Sequence, residues 1–123
     1  MLDVTLTFRG KSFASKLSTY RVTHVVEYYN NGVTMDGTEY GYTRRRPVVT
    51  FTFMPLTDAE CQDFYGALSQ IVGSATYTDP HLGERTCQMR VASDLEAVFG
   101  IRSINGNRYY KGGEITLRSL TTL

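Results

Sequence analysis

The chain has 123 residues, a formal charge of +1 from 13 basic and 12 acidic side chains, and an apolar fraction of 41%. That size holds one domain, residues 1–123, with a real core. The composition is not that of a disordered segment, and the near-balanced charge lacks the basic excess of a dedicated nucleic-acid binder. No apolar run approaches the roughly 20 residues of a membrane helix, and Met1–Leu6 lacks the basic region and long apolar stretch of a signal peptide. Nine tyrosines and six phenylalanines without tryptophan, joined by many threonines, lean the chain towards strands. Cys61 and Cys87 do not make a disulfide framework. Reduced thiols in a cytoplasm are the simpler reading, with a single bridge left open.

In chain order, Leu2, Val4, Leu6 and Phe8 alternate with Asp3, Thr5, Thr7 and Arg9, the period of a half-buried strand. Gly10-Lys11-Ser12 breaks it. A second strand is expected from about Thr19 to Tyr28, with Tyr20, Val22, His24 and Val26 on one face. Asn30-Asn31-Gly32 supplies turn chemistry. Between Tyr29 and Thr43 almost nothing can anchor a core, so the stretch reads as an extended hairpin or arm, about residues 27–46, leaving the body. The chain returns as Val48 to Met54, with Pro47 at a position that needs no ladder hydrogen bond.

Thr57-Asp58-Ala59-Glu60 is a capping box, with Leu56 and Cys61 placed as its hydrophobic staple. Cys61, Phe64, Tyr65, Leu68, Ile71 and Val72 follow at helical spacing, predicting a helix over about residues 58–72 with Gly73 as its C′ glycine. Ala75–Thr78 reads as a strand, Asp79–Gly83 as a turn and Arg85–Val91 as another strand. Asp94 to Ile104 suggests a strand with a bulge near Gly100. Asn105-Gly106 is a turn, and Glu114 to Leu120 closes the chain as a strand. The expected class is mainly β with one helix (α+β): two antiparallel sheets forming a sandwich or partly closed barrel, with a flanking helix and a long hairpin arm.

Chemistry is sparse. His24, His81, Cys61 and Cys87 are the metal-ligand types, and no pair has the short spacing of a zinc site. Cys61 or Cys87 with His81 is the conceivable nucleophile–base pair, yet both thiols fall on apolar faces, where inert cysteine is the rule. No nucleophile elbow or Walker-type loop is present. Asp58 and Glu60 are explained by helix capping, Asp94 and Glu96 by loop solvation. No catalytic residue, metal or cofactor is expected, and the chain reads as a non-enzyme. Two features remain. Arg44-Arg45-Arg46 suits either phosphates or an acidic neighbouring subunit; it suits equally a solvated strand entrance neutralised by Asp36 and Glu39. Tyr28, Tyr29, Tyr40 and Tyr42 flank the arm, and tyrosine favours partner surfaces. With the three arginines they form the expected inter-subunit contact. A carbohydrate- or receptor-binding β-sandwich would use the same tyrosines.

The order of motifs carries a resemblance. A tyrosine-bearing strand leads to a glycine-rich stretch ending in arginines, then Val49-Thr50-Phe51-Thr52-Phe53 and the Leu56-Thr57-Asp58-Ala59-Glu60 helix start. Val72 to Thr78 runs into Asp79-Pro80, Gly83-Glu84-Arg85-Thr86 feeds the strand to Val91, and Tyr109-Tyr110 precedes the closing strand. Over residues 18–120 this resembles small tail proteins of long-tailed bacteriophages and of prophages of Gram-positive bacteria. More distantly it is similar to minor tail and distal-tail proteins that share the tail-tube fold. The resemblance implies a subunit that continues its sheets into a homo-oligomeric, typically hexameric, ring. Val26 to Arg46 would be the bridging arm, and neighbouring tail proteins the partners. It implies phage DNA passing through the lumen without sequence-specific binding, no membrane, and a place in the virion after assembly in the host cytoplasm. The chain is shorter than many principal tube subunits and slightly positive, so a terminal adaptor stands beside the tube itself.

Overall fold

The computed structural model describes residues 3–99 and 109–123; the side chains at 29–31, 40 and 97–99 lie outside that description. The first strand, β1 (Leu6–Phe8), turns at Arg9 and Gly10, whose φ angles of 53° and 82° are both left-handed, and returns as β2 (Lys11–Ser12). Two such residues give a turn whose twist suits paired strands. The expected break at Gly10–Ser12 is therefore a hairpin. A 3₁₀ turn, Ala14–Lys16, leads into β3 (Leu17–Val33), which pairs along its length with β4 (Glu39–Phe53). After β5 (Leu56–Thr57) and α1 (Asp58–Leu68) come β6 (Val72–Asp79), β7 (Gly83–Val91), β8 (Ala97–Phe99), β9 (Tyr109–Gly112) and β10 (Ile115–Ser119).

These strands make two antiparallel sheets, one of seven strands in the order β2-β1-β6-β7-β10-β4-β3 and one of three in the order β5-β9-β8. Strict alternation decides the faces. Leu6, Phe8, Ala75, Tyr77, Met89, Val49, Phe51, Ile115 and Leu117 are fully buried on the inner face. The outer face carries Thr7, Thr50, Thr52, Thr76, Thr86 and Thr116, with hydroxyls paired across strands at 2.7 Å (Thr19–Thr52) and 2.9 Å (Thr76–Thr86). The large sheet coils over its own core. Tyr20 Oη of β3 donates to the Thr78 carbonyl at the far end of β6 at 2.5 Å, four strands away in the sheet order. Among the described residues no backbone ladder joins β3 to β6, so the coil is not a closed barrel.

The helix begins as the sequence dictates. Thr57 Oγ1 accepts from the Glu60 amide at 3.3 Å and Glu60 Oε1 accepts from the Thr57 amide at 3.1 Å. Phe64 and Leu68 are its buried residues. Phe64, Phe53, Phe51 and Phe13 form one aromatic cluster, with centroids 5.2–6.0 Å apart in the pairs Phe53–Phe64, Phe13–Phe64, Phe13–Phe53, Phe51–Phe53 and Phe13–Phe51. Its end differs from expectation. Ser69 is the C-cap, Ile71 is 64% exposed rather than on the buried stripe, and Val72 and Gly73 pair with Arg90 and Met89 as the start of β6. Sheet pairing captures these β-branched and glycine residues before a fourth helical turn forms. Gly73 is not a helix cap; a Cβ there would meet Arg9 Cγ at 2.2 Å, so its bareness lets the Arg9 side chain cross. Leu2, the bulge near Gly100 and the Asn105-Gly106 turn lie outside the described residues.

Candidate functional site

The ladder between β10 and β4 ends at Arg118 and Val48. Above it β3 and β4 continue as a two-stranded ribbon, from Val25 paired with Arg46 up to Val33 paired with Glu39. Nine residues of strand extend about 30 Å. The expected arm is therefore a direct continuation of two core strands. The register slips between Tyr29 and Gly32, and Gly41 opposite has a φ of 119°. Asn30-Asn31-Gly32 thus sits at a bulge inside the strand and not in the turn. The turn is Thr34–Thr38. Asp36 Oδ1 accepts from the Thr34 hydroxyl and from the Thr38 amide (3.0 Å), Thr34 N donates to Thr38 O at 2.8 Å, and Gly37 supplies a φ of 88°. These bonds, the Thr34 hydroxyl first, hold the Asp36 carboxyl below its ordinary value.

Six of the twelve exposed large hydrophobics among the described residues stand on this ribbon: Val25, Val26, Tyr28, Val33, Met35 and Tyr42. Met35 presents its whole side chain to solvent at the tip. The register divides the expected contact residues between two faces. Tyr28 shares one with Val26, Thr43 and Arg45; Tyr42 shares the other with Val25, Glu27, Arg44 and Arg46. The Arg44 guanidinium lies over the Tyr42 ring at 5.6 Å. Tyr29 and Tyr40 take their places in the ladder, with their side chains outside the described residues.

The arginine triplet does not act as a unit. Arg44 and Arg45 are exposed. Arg46 is largely buried: its Nε bonds Glu27 Oε1, its Nη2 reaches Glu27 Oε2 at 3.5 Å and its Nη1 donates to the Ser119 carbonyl at 2.8 Å. Arg118 joins Glu27 at 3.3 Å. Glu27, which pairs with Arg46, is thus an acidic partner of the triplet. Sequence reading passed over Glu27, although its place opposite Arg44 on a strand is a cross-strand charge pattern.

The outer edge of β3 carries no strand among the described residues, and β3 is the longest strand of the fold. Natural edges are usually blunted by shortness, proline or inward-pointing lysine. Over Thr19–Val26, Thr-Tyr-Arg-Val-Thr-His-Val-Val, this one has no proline and no lysine; it carries Arg21, and register shifts flank it at Leu17/Thr19 and Tyr29/Gly32. The opposite edge, β2, has two residues. The molecule therefore has one long edge able to accept a strand, and that edge runs on into the ribbon.

The other residues singled out from the sequence divide. Cys61 and Cys87 sit apart from the two histidines, on α1 and β7. Burial, and then the charges of Asp58 and Glu60, push the Cys61 thiol up, away from a reactive thiolate. No group of three or more His, Cys, Asp or Glu among the described residues is placed to hold a metal. His24 and His81 do come together, with ring centroids 5.3 Å apart.

Fold and surface together define an antiparallel β domain with β3 at the edge of its larger sheet and a projecting two-stranded ribbon. No protein-family model matches the chain, and no curated protein matches it. Among solved structures it is similar to a chain in one described as the virion of a native gene transfer agent (GTA) particle, with a TM-score of 0.62 and 14% identity. The match covers 97% of this chain and 92% of that one, so the likeness spans the whole fold.

Proposed function

We propose that this chain is a non-enzymatic structural component of a phage-type virion, a subunit that assembles with copies of itself and with neighbouring tail proteins. The observation that carries this reading is the long edge of β3, which pairs with no further strand among the described residues and runs on into a ribbon rich in exposed apolar residues. An isolated two-stranded ribbon is only marginally stable in water, so one that reaches about 30 Å beyond its sheet gains most from a partner lying against it. Strand addition supplies main-chain hydrogen bonds, and Tyr28, Tyr42, Arg44 and Arg45 supply side-chain contacts. The gene transfer agent likeness supports a virion setting. Within it we assign the chain to a tail ring, hexameric in the tail-tube manner, either in the tube or as an adaptor at one end. DNA would pass the lumen without sequence-specific contact.

Replacing residues 30–41 with a two-residue Asn-Gly turn tests the proposal. Tyr29 and Tyr42 already face one another in the ladder, so the shortened hairpin closes in register. The variant should remain a folded monomer by circular dichroism and lose ring or tube formation in light scattering and negative-stain electron microscopy. Rings that form as in the parent would remove the arm from the assembly contact.

A further inference from the structure

On the outer face of the seven-stranded sheet two arginines stand side by side. Arg90 of β7 is the ladder partner of Arg118 of β10, which sets their Cβ atoms about 5 Å apart. Like charges placed directly opposite one another destabilise a sheet, and little in this fold offsets the pair. Arg90 is exposed, and no carboxylate among the described residues forms an ion pair with it. The sequence at 1–2 and 100–108 contains no aspartate or glutamate, so those segments hold no acidic partner for it either. Arg118 meets Glu27 at 3.3 Å, but that carboxylate already bonds Arg46. Arg44, two residues from Arg46 on the same face, is exposed. Four guanidiniums thus gather around one carboxylate. Of the other acidic residues near this face, Glu114 pairs with Arg21 at 4.0 Å, and Glu84 lies about 20 Å from Arg90 along β7. Guanidiniums do not lose their proton in proteins, so the excess of positive charge is permanent.

We propose that Arg90 and Arg118, with Arg44 at the arm end of the row, form a site for the phosphate backbone of double-stranded DNA. Arg46 is turned to Glu27 and the Ser119 carbonyl and serves to position Glu27 beneath the row. The row crosses the adjacent strands β7, β10 and β4, a span of about 10 Å that matches about three phosphates along one DNA strand. The groups around it suit phosphate better than a protein. Thr86 and Gln88 precede Arg90 on the same face of β7, and Thr116 precedes Arg118 on β10. Hydroxyls, amides and guanidiniums are the side-chain groups that meet phosphate oxygens. Protein interfaces concentrate aromatic residues and methionine. Here those stand on the ribbon, as Tyr28, Met35 and Tyr42, and none lies on the outer face of β6, β7 or β10 among the described residues. The net charge of +1 hides this division, because Asp36 and Glu39 sit at the arm tip and Asp58, Glu60 and Asp63 on α1. Contacts of this kind hold the backbone and carry no base preference. Placing the DNA in a tail lumen rests on the virion reading; the phosphate site itself does not.

The test is binding of a short, fluorescently labelled DNA duplex to the full chain, followed by anisotropy between about 50 and 200 mM salt. Binding should be weak, with a Kd of about 10⁻⁴ M at the upper salt, and log K should fall against log salt with a slope of about −2 to −3. Arg90→Gln should weaken binding on the order of five- to tenfold and reduce the slope by about 1. Arg90→Lys keeps the charge and should keep the slope. Arg85→Gln makes the same charge change on the same strand, but on the face of Tyr77, and should leave binding as in the parent. The site is overturned if the parent shows no salt-dependent binding, or if Arg85→Gln weakens it as much as Arg90→Gln does, which would make it an effect of net charge. It is overturned equally if polyglutamate displaces the duplex at equal concentration of charge, which would make this a surface for an acidic protein. Ring formation is read separately by the arm replacement, so either result can fail while the other holds.

Discussion

Gly112→Ala probes the join between α1 and the smaller sheet. A Cβ at Gly112 would lie 2.2 Å from Tyr65 Oη, 3.5 Å from its Cζ and 3.0 Å from the Glu96 carbonyl oxygen. The phenol cannot step aside freely. Its hydroxyl donates to that same carbonyl at 3.0 Å, and its ring stands edge-on to Phe53 with centroids 6.1 Å apart. Displacing the hydroxyl loses a hydrogen bond of about 1 kcal/mol, and forcing the ring costs about 1–3 kcal/mol as overpacking. Alanine returns about 0.5 kcal/mol by restricting the unfolded chain. The net loss is about 2 kcal/mol, a fall in Tm of roughly 6–10 °C for a chain of this size, measurable by urea and thermal unfolding. Tyr65→Phe supplies the control, because it removes the obstructing oxygen. Alone it should cost about 1 kcal/mol, and in its background the Gly112→Ala step should shrink by about 1–2 kcal/mol, within the usual coupling of touching residues. An equal Gly112→Ala cost in both backgrounds would show that the hydroxyl is not what glycine makes room for.

Arg46→Ala and Arg44→Ala should part company. The first strips Glu27 and the Ser119 carbonyl of a largely buried partner and should cost about 1.5–3 kcal/mol by urea unfolding, as charged hydrogen bonds do. The second removes an exposed head group and should stay within about 0.5 kcal/mol; similar losses in both would contradict the division of the triplet. Acid should destabilise the fold through Asp79 and Glu60, both held below their ordinary values in the folded chain. For Asp79 hydrogen bonds overcome the effect of burial; for Glu60 the Lys16 hydrogen bond leads, followed by the Thr57 amide. Groups depressed in this way stabilise the fold above their unfolded value and lose that contribution as pH falls through the folded one. The urea midpoint should therefore drop below about pH 4, and Asp79→Asn should flatten the drop. An unchanged slope in Asp79→Asn would mean that the carboxyl titrates alike in both states.

What the residues announced in advance is what short-range chemistry controls. The capping box at Thr57, the alternation around Phe51 and Leu117, and the lack of core-forming residues from Tyr29 to Thr43 all express local geometry, and all appear as expected in the fold. Phe13 was invisible because it belongs to no alternating run. It follows a two-residue strand, yet tertiary packing makes it the centre of the aromatic cluster. Ile71 and Val72 carried helical spacing, and sheet pairing overrode it. His24 could be placed on an inward face but not matched to Asp79, since 55 residues and four strands of coiling separate them. The division of the arginine triplet was hidden for a different reason: run length says nothing about which of three consecutive strand residues reaches the neighbouring β10, as Arg46 does at Ser119.

The same two strands do different work at their two ends. Below His24 and Pro47, β3 and β4 bury Leu17, Val49, Phe51 and Phe53. Above that height they bury no described hydrophobic residue and present Tyr28, Val33, Met35 and Tyr42. Because no loop or hinge interrupts the strands at the boundary, the ribbon's direction is set by the core beneath it. In the proposed assembly a partner would meet an arm that is already aimed, with less ordering entropy opposing association than a flexible tail would bring. The ties at the boundary, Tyr20 to Thr78, His24 to Asp79, and Arg46 to Glu27 and Ser119, all lie within a few ladder positions of one another. Loosening any of them should act on the aim of the arm as well as on the stability of the fold. That makes the boundary the place where subunit stability and the proposed assembly are coupled: a substitution such as Arg46→Ala should lower the stability of one copy and weaken association between copies as well.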